Sequence, residues 1–293
     1  MGLREQFRLA NFTLNHSHPH RFVSARFNVK ALYACWRVFW AVYHMTWVLL
    51  SWVLEPWVAY PAIDRLKWFV YLTNWMYLLL ALETVIEAIN FLYVHLLRYD
   101  IVKGKKCQMP WYLKMQWLLY EIVSTGSLMV TAWYWGAVYK GDKAVGPVNF
   151  SLHAMNSIYV VLNLVLTATP SRLLHFIYPV LFGVVYTAFS VVYHLADGTN
   201  VRGQPYIYSV LDWSRPGRTL LMSSISNFLA IPVVHLLLFL LHVLAERLGT
   251  CRRARGEEPG EGGRPASGTT CLDLDEPGME SSSVQGELLE EDE

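Results

Sequence analysis

The hydroxyl of Thr73 and the imidazole of His153, in a chain of 293 residues, are of the types used in nucleophilic ester chemistry. A threonine hydroxyl is a weak nucleophile at its own pKa and needs an adjacent base. A histidine can take that proton and return it to a leaving alkoxide. Attack on an ester carbonyl would give an acyl-threonine, which water then hydrolyses. Asn74, Asn156 and His194 are candidate donors to the oxyanion, and Asp197 and Asp212 are candidate orienting acids. The same residue types also serve plain structure. A membrane Thr commonly bonds its own helix carbonyl, and Asn or His hydrogen-bonds neighbouring helices. No GxSxG, HExxH, P-loop or GxGxxG motif accompanies them. The four cysteines, Cys35, Cys107, Cys251 and Cys271, have neither metal-site nor disulfide-framework spacing, so no metal or cofactor is expected. Cys251, beside Arg252 and Arg253, is a candidate palmitoylation site.

The elements that must position these groups are long and apolar. Stretches at 31–54, 68–97, 111–139, 150–169, 173–196 and 219–245 each reach the roughly 20 apolar residues that a spanning helix needs. The chain is 54% hydrophobic and only 16% charged. The runs are continuous rather than alternating, which argues against a transmembrane barrel. The expected fold class is therefore all-α, an integral membrane bundle of six transmembrane helices. Residues 1–30 read as an amino-terminal cytosolic segment without a cleavable signal, residues 31–248 as the membrane domain and residues 249–293 as an acidic tail. Residues 256–293 hold 12 acidic side chains against the single Arg264, a composition that predicts a disordered cytosolic tail, with Ser281, Ser282 and Ser283 as candidate phosphorylation sites.

Lysine and arginine set the orientation. The amino-terminal segment, the second-to-third loop, the fourth-to-fifth loop and the end of the last helix hold 14 of them, and the other three loops hold 7. Both termini are then cytosolic, and Trp52, Trp57, Trp68, Trp133, Trp135 and Trp213 form a belt at the outer interface. The sequons at Asn11 and Asn15 would be unused. The expected residence is the plasma membrane or the endoplasmic reticulum, with lipid as the surroundings and no nucleic-acid partner.

Within those helices Thr73 and His153 each lie about five or six residues in from the same side, so at about 1.5 Å per residue they share one shallow depth. His194, Asp197 and Asp212 lie towards that side too. His153, Asn156, Ser157 and Asn163 fall on one face of the fourth helix, and Thr73, Glu83 and Glu87 on roughly one face of the second. A polar strip can thus run between the two. Glu83, Glu87 and Glu121 are expected to be neutral or paired with Arg37 or Lys114.

The stretch Val70-Tyr71-Leu72-Thr73 resembles the threonine segment of the androgen-induced-protein family, membrane threonine hydrolases of fatty-acid esters of hydroxy fatty acids. His153-Ala154-Met155-Asn156 resembles that family's HAMH or HGMH, and the run from Tyr193-His194 through Gly203, Tyr206, Leu211 and Pro216-Gly217-Arg218 resembles its loop after the fifth helix. Asn227-Phe228-Leu229 fits its last helix. That resemblance is distant, covers about residues 65–240, and implies a catalytic Thr73 and His153. Asn156 stands where those hydrolases have a second His. From residue 1 to 248 the chain is more similar still to the rolling stone family, whose founding insect member is linked to myoblast fusion. Two functions follow: a lipid ester hydrolase of the outer or luminal leaflet, or a non-enzymatic membrane protein of cell–cell fusion or differentiation. A transporter using Glu83, Glu87 and Glu121 as an ion path is a third reading. Haem ligation by His44, His95, His153 or His235 is disfavoured, because no two of them pair at one depth.

Overall fold

The computed structural model describes residues 6–27, 29–54, 65–105, 107–139 and 145–256, and it contains helices and turns with no strand among them. Of the acidic tail expected at residues 249–293, residues 257–293, with Cys271 and the three serines, lie outside the described residues. So do Trp57, Lys106, Lys140 and Lys143.

The described residues include six long helices. Helix α1 is Lys30–Leu54, α2 is Leu72–Leu97 and α3 is Trp111–Trp133, continued by a π turn at Tyr134–Val138. Helix α4 is Pro147–Leu166 with a π turn at Ser151–Met155, α5 is Leu173–Leu195, and α6 is Pro216–Thr250 with a π turn at Ser226–Ala230. Among the described residues α2, α4, α5 and α6 are long and apolar enough to cross a membrane. Helices α1 and α3 have 25 and 23 residues, about 35 Å at 1.5 Å per residue. They are less apolar because they carry Trp36, Arg37, His44, Gln116 and Glu121. Helical backbone is described as far as Gly256.

The distribution of side chains is that of a protein dissolved in lipid. Large apolar residues such as Phe39, Leu49, Ile89, Leu96, Val185 and Leu237 stand on the outside. The interior holds His44, Glu83, Glu87, Gln116, Glu121 and His175. In water this arrangement would be inverted. In hydrocarbon a polar side chain must find its partners within the protein. The apolar core packs α1, α2, α3 and α4 around Trp40, Tyr77, Leu80, Val123, Tyr159 and Leu164. At Gly183 a Cβ would sit 2.2 Å from Asn227 Oδ1, so the missing side chain lets α6 close on α5. The Asn227 amide there donates to Thr187 Oγ1 at 3.0 Å.

The polar amino-terminal segment is docked on the bundle. Phe22 and Val23 are buried with Val94, Leu113, Trp117 and Tyr120. Their segment is pinned by Gln116 Nε2, which donates to the Phe22 carbonyl at 2.9 Å. A bridge joins Ala25 to Thr167, and Arg172 donates to the carbonyls of Thr13 and Asn15, both at 2.7 Å.

Candidate functional site

The start of α2 is built from tyrosines. A 3-10 turn at Leu66–Val70 ends in an extended Tyr71, the residue before the helix, whose side chain makes no capping bond. The first amides of a helix have no partner within it, so here they are met from outside. Leu72 N–H donates to Tyr186 Oη of α5 at 3.1 Å, and Thr73 N–H reaches Tyr208 Oη at 3.5 Å. The Thr73 side chain lies beside the same phenol. Burial pushes Tyr208 up to about 12, so at neutral pH it is an intact phenol able both to donate and to accept. Thr73 itself is half-buried on the first turn, where the helix dipole favours negative charge.

His153 lies in the π turn of α4, and α2 packs against that turn. Single π turns recur at functional sites. This one widens the backbone, and Trp135 Nε1 donates to the His153 carbonyl at 2.9 Å. The imidazole is stacked on Tyr134 of the π turn that ends α3. It is 7% exposed, and its Nδ1 is buried with no hydrogen-bond partner among the described residues. Thr73 and His153 thus belong to packed elements, but no hydrogen bond joins them. Thr73 is bonded to Tyr208, and His153 is held by Tyr134.

The other expected residues divide into two groups. Asn74 donates to the Trp68 carbonyl at 2.7 Å. Asn156 Oδ1 accepts from Thr131 Oγ1 at 3.1 Å and from Ser157 N–H at 2.7 Å, which fastens α4 to α3. Both amides are engaged in structure. His194, at the end of α5, has its Nδ1 3.3 Å from the Pro205 carbonyl. Asp212 lies within electrostatic reach of His194, and a hydrogen bond from Ser214 holds its carboxyl below the usual range. Asp197 is exposed at φ 56°, where it closes α5 in the left-handed conformation that ends many helices.

Three tyrosines at the site escaped the sequence reading: Tyr134, Tyr186 and Tyr208. The only signal was the density of tyrosine, since none stands at a diagnostic spacing. Beside the start of α2 a groove of about 530 Å³ is lined by Trp68, Phe69, Val70, Trp75 and Leu78, with Phe182 of α5 opposite, and its walls are apolar.

Elsewhere in the interior Glu121 takes its partners from His175, Trp117 and Ser171, not from Lys114. Its Oε1 lies 3.0 Å from His175 Nδ1. His235 is bound at both nitrogens, to Thr125 Oγ1 and the Arg172 carbonyl.

A family model described as Protein rolling stone matches residues 2–252. The chain belongs to the rolling stone family. The match takes in all six helices and the docked amino-terminal segment, and it ends before Glu257, the first acidic residue of the tail. Among curated proteins, Protein rolling stone of Drosophila melanogaster is similar, 26% identical over 259 residues that cover 83% of this chain and 90% of the fly protein. No solved structure matches. This rolling stone family member is therefore a helical membrane protein, with apolar spanning helices and a polar interior.

Proposed function

We propose that this rolling stone family member is a lipid ester hydrolase that crosses the membrane six times with both termini cytosolic, Thr73 acting as nucleophile and His153 as its base. The observation that carries the reading is the buried, unpartnered Nδ1 of His153 in a π turn packed against α2, the helix whose first turn holds Thr73. A buried imidazole nitrogen without a partner is costly to maintain for structure alone. In the reaction Thr73 Oγ1 attacks the ester carbonyl and its proton passes to His153. The proton then goes to the leaving alkoxide, and water attacking the acyl-threonine restores the hydroxyl. Tyr208 Oη, beside Thr73 at the start of α2, is a candidate donor to the developing oxyanion. The apolar groove beside Trp68 and Trp75 suits an acyl chain, with the ester near the headgroup level.

Labelling of detergent-solubilised protein with a lipid-like fluorophosphonate, alongside turnover of a panel of branched fatty-acid esters, tests this directly. Wild type should be labelled and Thr73→Ala should not. Absence of labelling and turnover in wild type would end the hydrolase reading.

A second reading is favoured by the engagement of Asn74 and Asn156 in structural hydrogen bonds. On it the polar strip is helix–helix glue in a non-enzymatic membrane protein. Normal biological activity of Thr73→Ala in a fusion or differentiation assay would select that reading.

A further inference from the structure

The middle of the bundle holds more acid than base. Glu83 and Glu87 stand one turn apart on α2, each 1% exposed. Arg37 of α1 pairs with Glu87 Oε2, and Tyr159 of α4 donates to the same oxygen at 3.2 Å. The rest of the Arg37 fork is taken by Asn163 Oδ1, Tyr33 Oη and Thr167 Oγ1. The other titratable groups facing the acids are Tyr33 of α1, Tyr120 of α3 and Tyr159 of α4, and His44 of α1 and Tyr77 of α2 stand behind Tyr159. Among the described residues Arg37 is thus the one fixed cation for two carboxyl groups.

Donors are missing in the same place. Both oxygens of Glu83 and Oε1 of Glu87 have no partner among the described residues, although Glu83 lies within reach of Glu87, Arg37 and Tyr159. Independently, both ring nitrogens of the fully buried His44 and the hydroxyl of the buried Tyr77 are unpartnered. The His44 ring stands edge-on to Tyr159 at 4.8 Å and to Tyr77 at 5.6 Å, so it faces the network that ends on Glu87.

We propose that Glu83 and Glu87 hold one exchangeable proton between them inside the membrane, carried on Glu83 and donated to Glu87 Oε1. The proton comes from solvent, and it leaves one negative charge opposite Arg37, so the group is neutral. Glu87 is the ionised partner because Arg37 and Tyr159 both donate to it, whereas Glu83 has no donor of its own. A bare metal cation fits poorly, since no cluster of three or more His, Cys, Asp or Glu is placed to hold one among the described residues. Hydroxyls continue from Arg37 towards one end of the bundle. Thr167 Oγ1 meets Tyr33 Oη at 3.1 Å and Thr169 Oγ1 at 2.9 Å, and the Thr167 carbonyl accepts from Arg26, which pairs with the part-exposed Glu246. Intramembrane acids arranged in this way are the elements of proton relays.

The test is infrared spectroscopy of the full-length protein in lipid nanodiscs at mildly alkaline pH. A protonated-carboxyl band is expected that shifts in D2O, disappears in Glu83→Gln and survives in Glu246→Gln. Absence of the band in wild type, or its persistence unchanged in Glu83→Gln, overturns the proposal. So does its loss when sodium or potassium replaces choline, which would identify a metal cation as the ligand. If Glu83→Gln does not fold, Glu83→Asp should displace the band instead of removing it, and an undisplaced band counts against the proposal.

Discussion

The imidazole of His153 lies flat against the phenol of Tyr134, with ring centroids 3.5 Å apart and planes 2° from parallel. The stack fixes the ring plane while leaving Nδ1 unbonded. Tyr134→Phe should therefore keep ester turnover close to wild type. Tyr134→Leu should lower kcat by about 10- to 100-fold through misplacement of the base. Equal kinetics of the two variants would show that the stack does not position His153.

Thr73→Ser should retain part of the activity because a hydroxyl remains. Thr73→Ala and His153→Ala should each abolish it, and the double variant should be no worse than either, since a nucleophile and its base act as a unit. Rates on one branched ester decide this, and additive losses would argue against a shared step.

Arg37 and Glu87 form a buried ion pair, both side chains almost fully enclosed. Arg37→Met leaves Glu87 without its cation and should cost about 3–5 kcal/mol of stability. Arg37→Met combined with Glu87→Leu should recover most of that, because neither charge is then left alone. Thermal unfolding in detergent measures both, and a double variant no better than Arg37→Met would refute the pairing argument.

His16 lies in the docked amino-terminal segment, and burial, with Arg21 and Arg172 nearby, lowers its pKa to about 4. An unfolded chain takes up this proton near pH 6.5, whereas the folded chain resists it. The His16 contribution is thus intact above pH 6.5 and is lost progressively as pH falls towards 4. The melting temperature of wild type should drop more over that interval than that of His16→Gln. Identical slopes would show that the segment is not docked around His16 in solution.

Part of this architecture was legible in the sequence. Continuous apolar runs require helices in lipid, and 3.6-residue periodicity put His153, Asn156, Ser157 and Asn163 on one face, where all four are buried. The pairing of Arg37 with an intramembrane glutamate follows from the cost of leaving either charge alone in hydrocarbon. The partners themselves were set by tertiary structure. Tyr208 meets Thr73 across 135 residues and His175 meets Glu121 across 54. Such contacts depend on how helices rotate and close, which no local spacing encodes. The amino-terminal segment is the plainest case. Its polar composition reads only as a cytosolic segment, and a few apolar residues, Phe22 and Val23 among them, fix it on the bundle because α2 and α3 leave a complementary apolar recess around Val94 and Trp117.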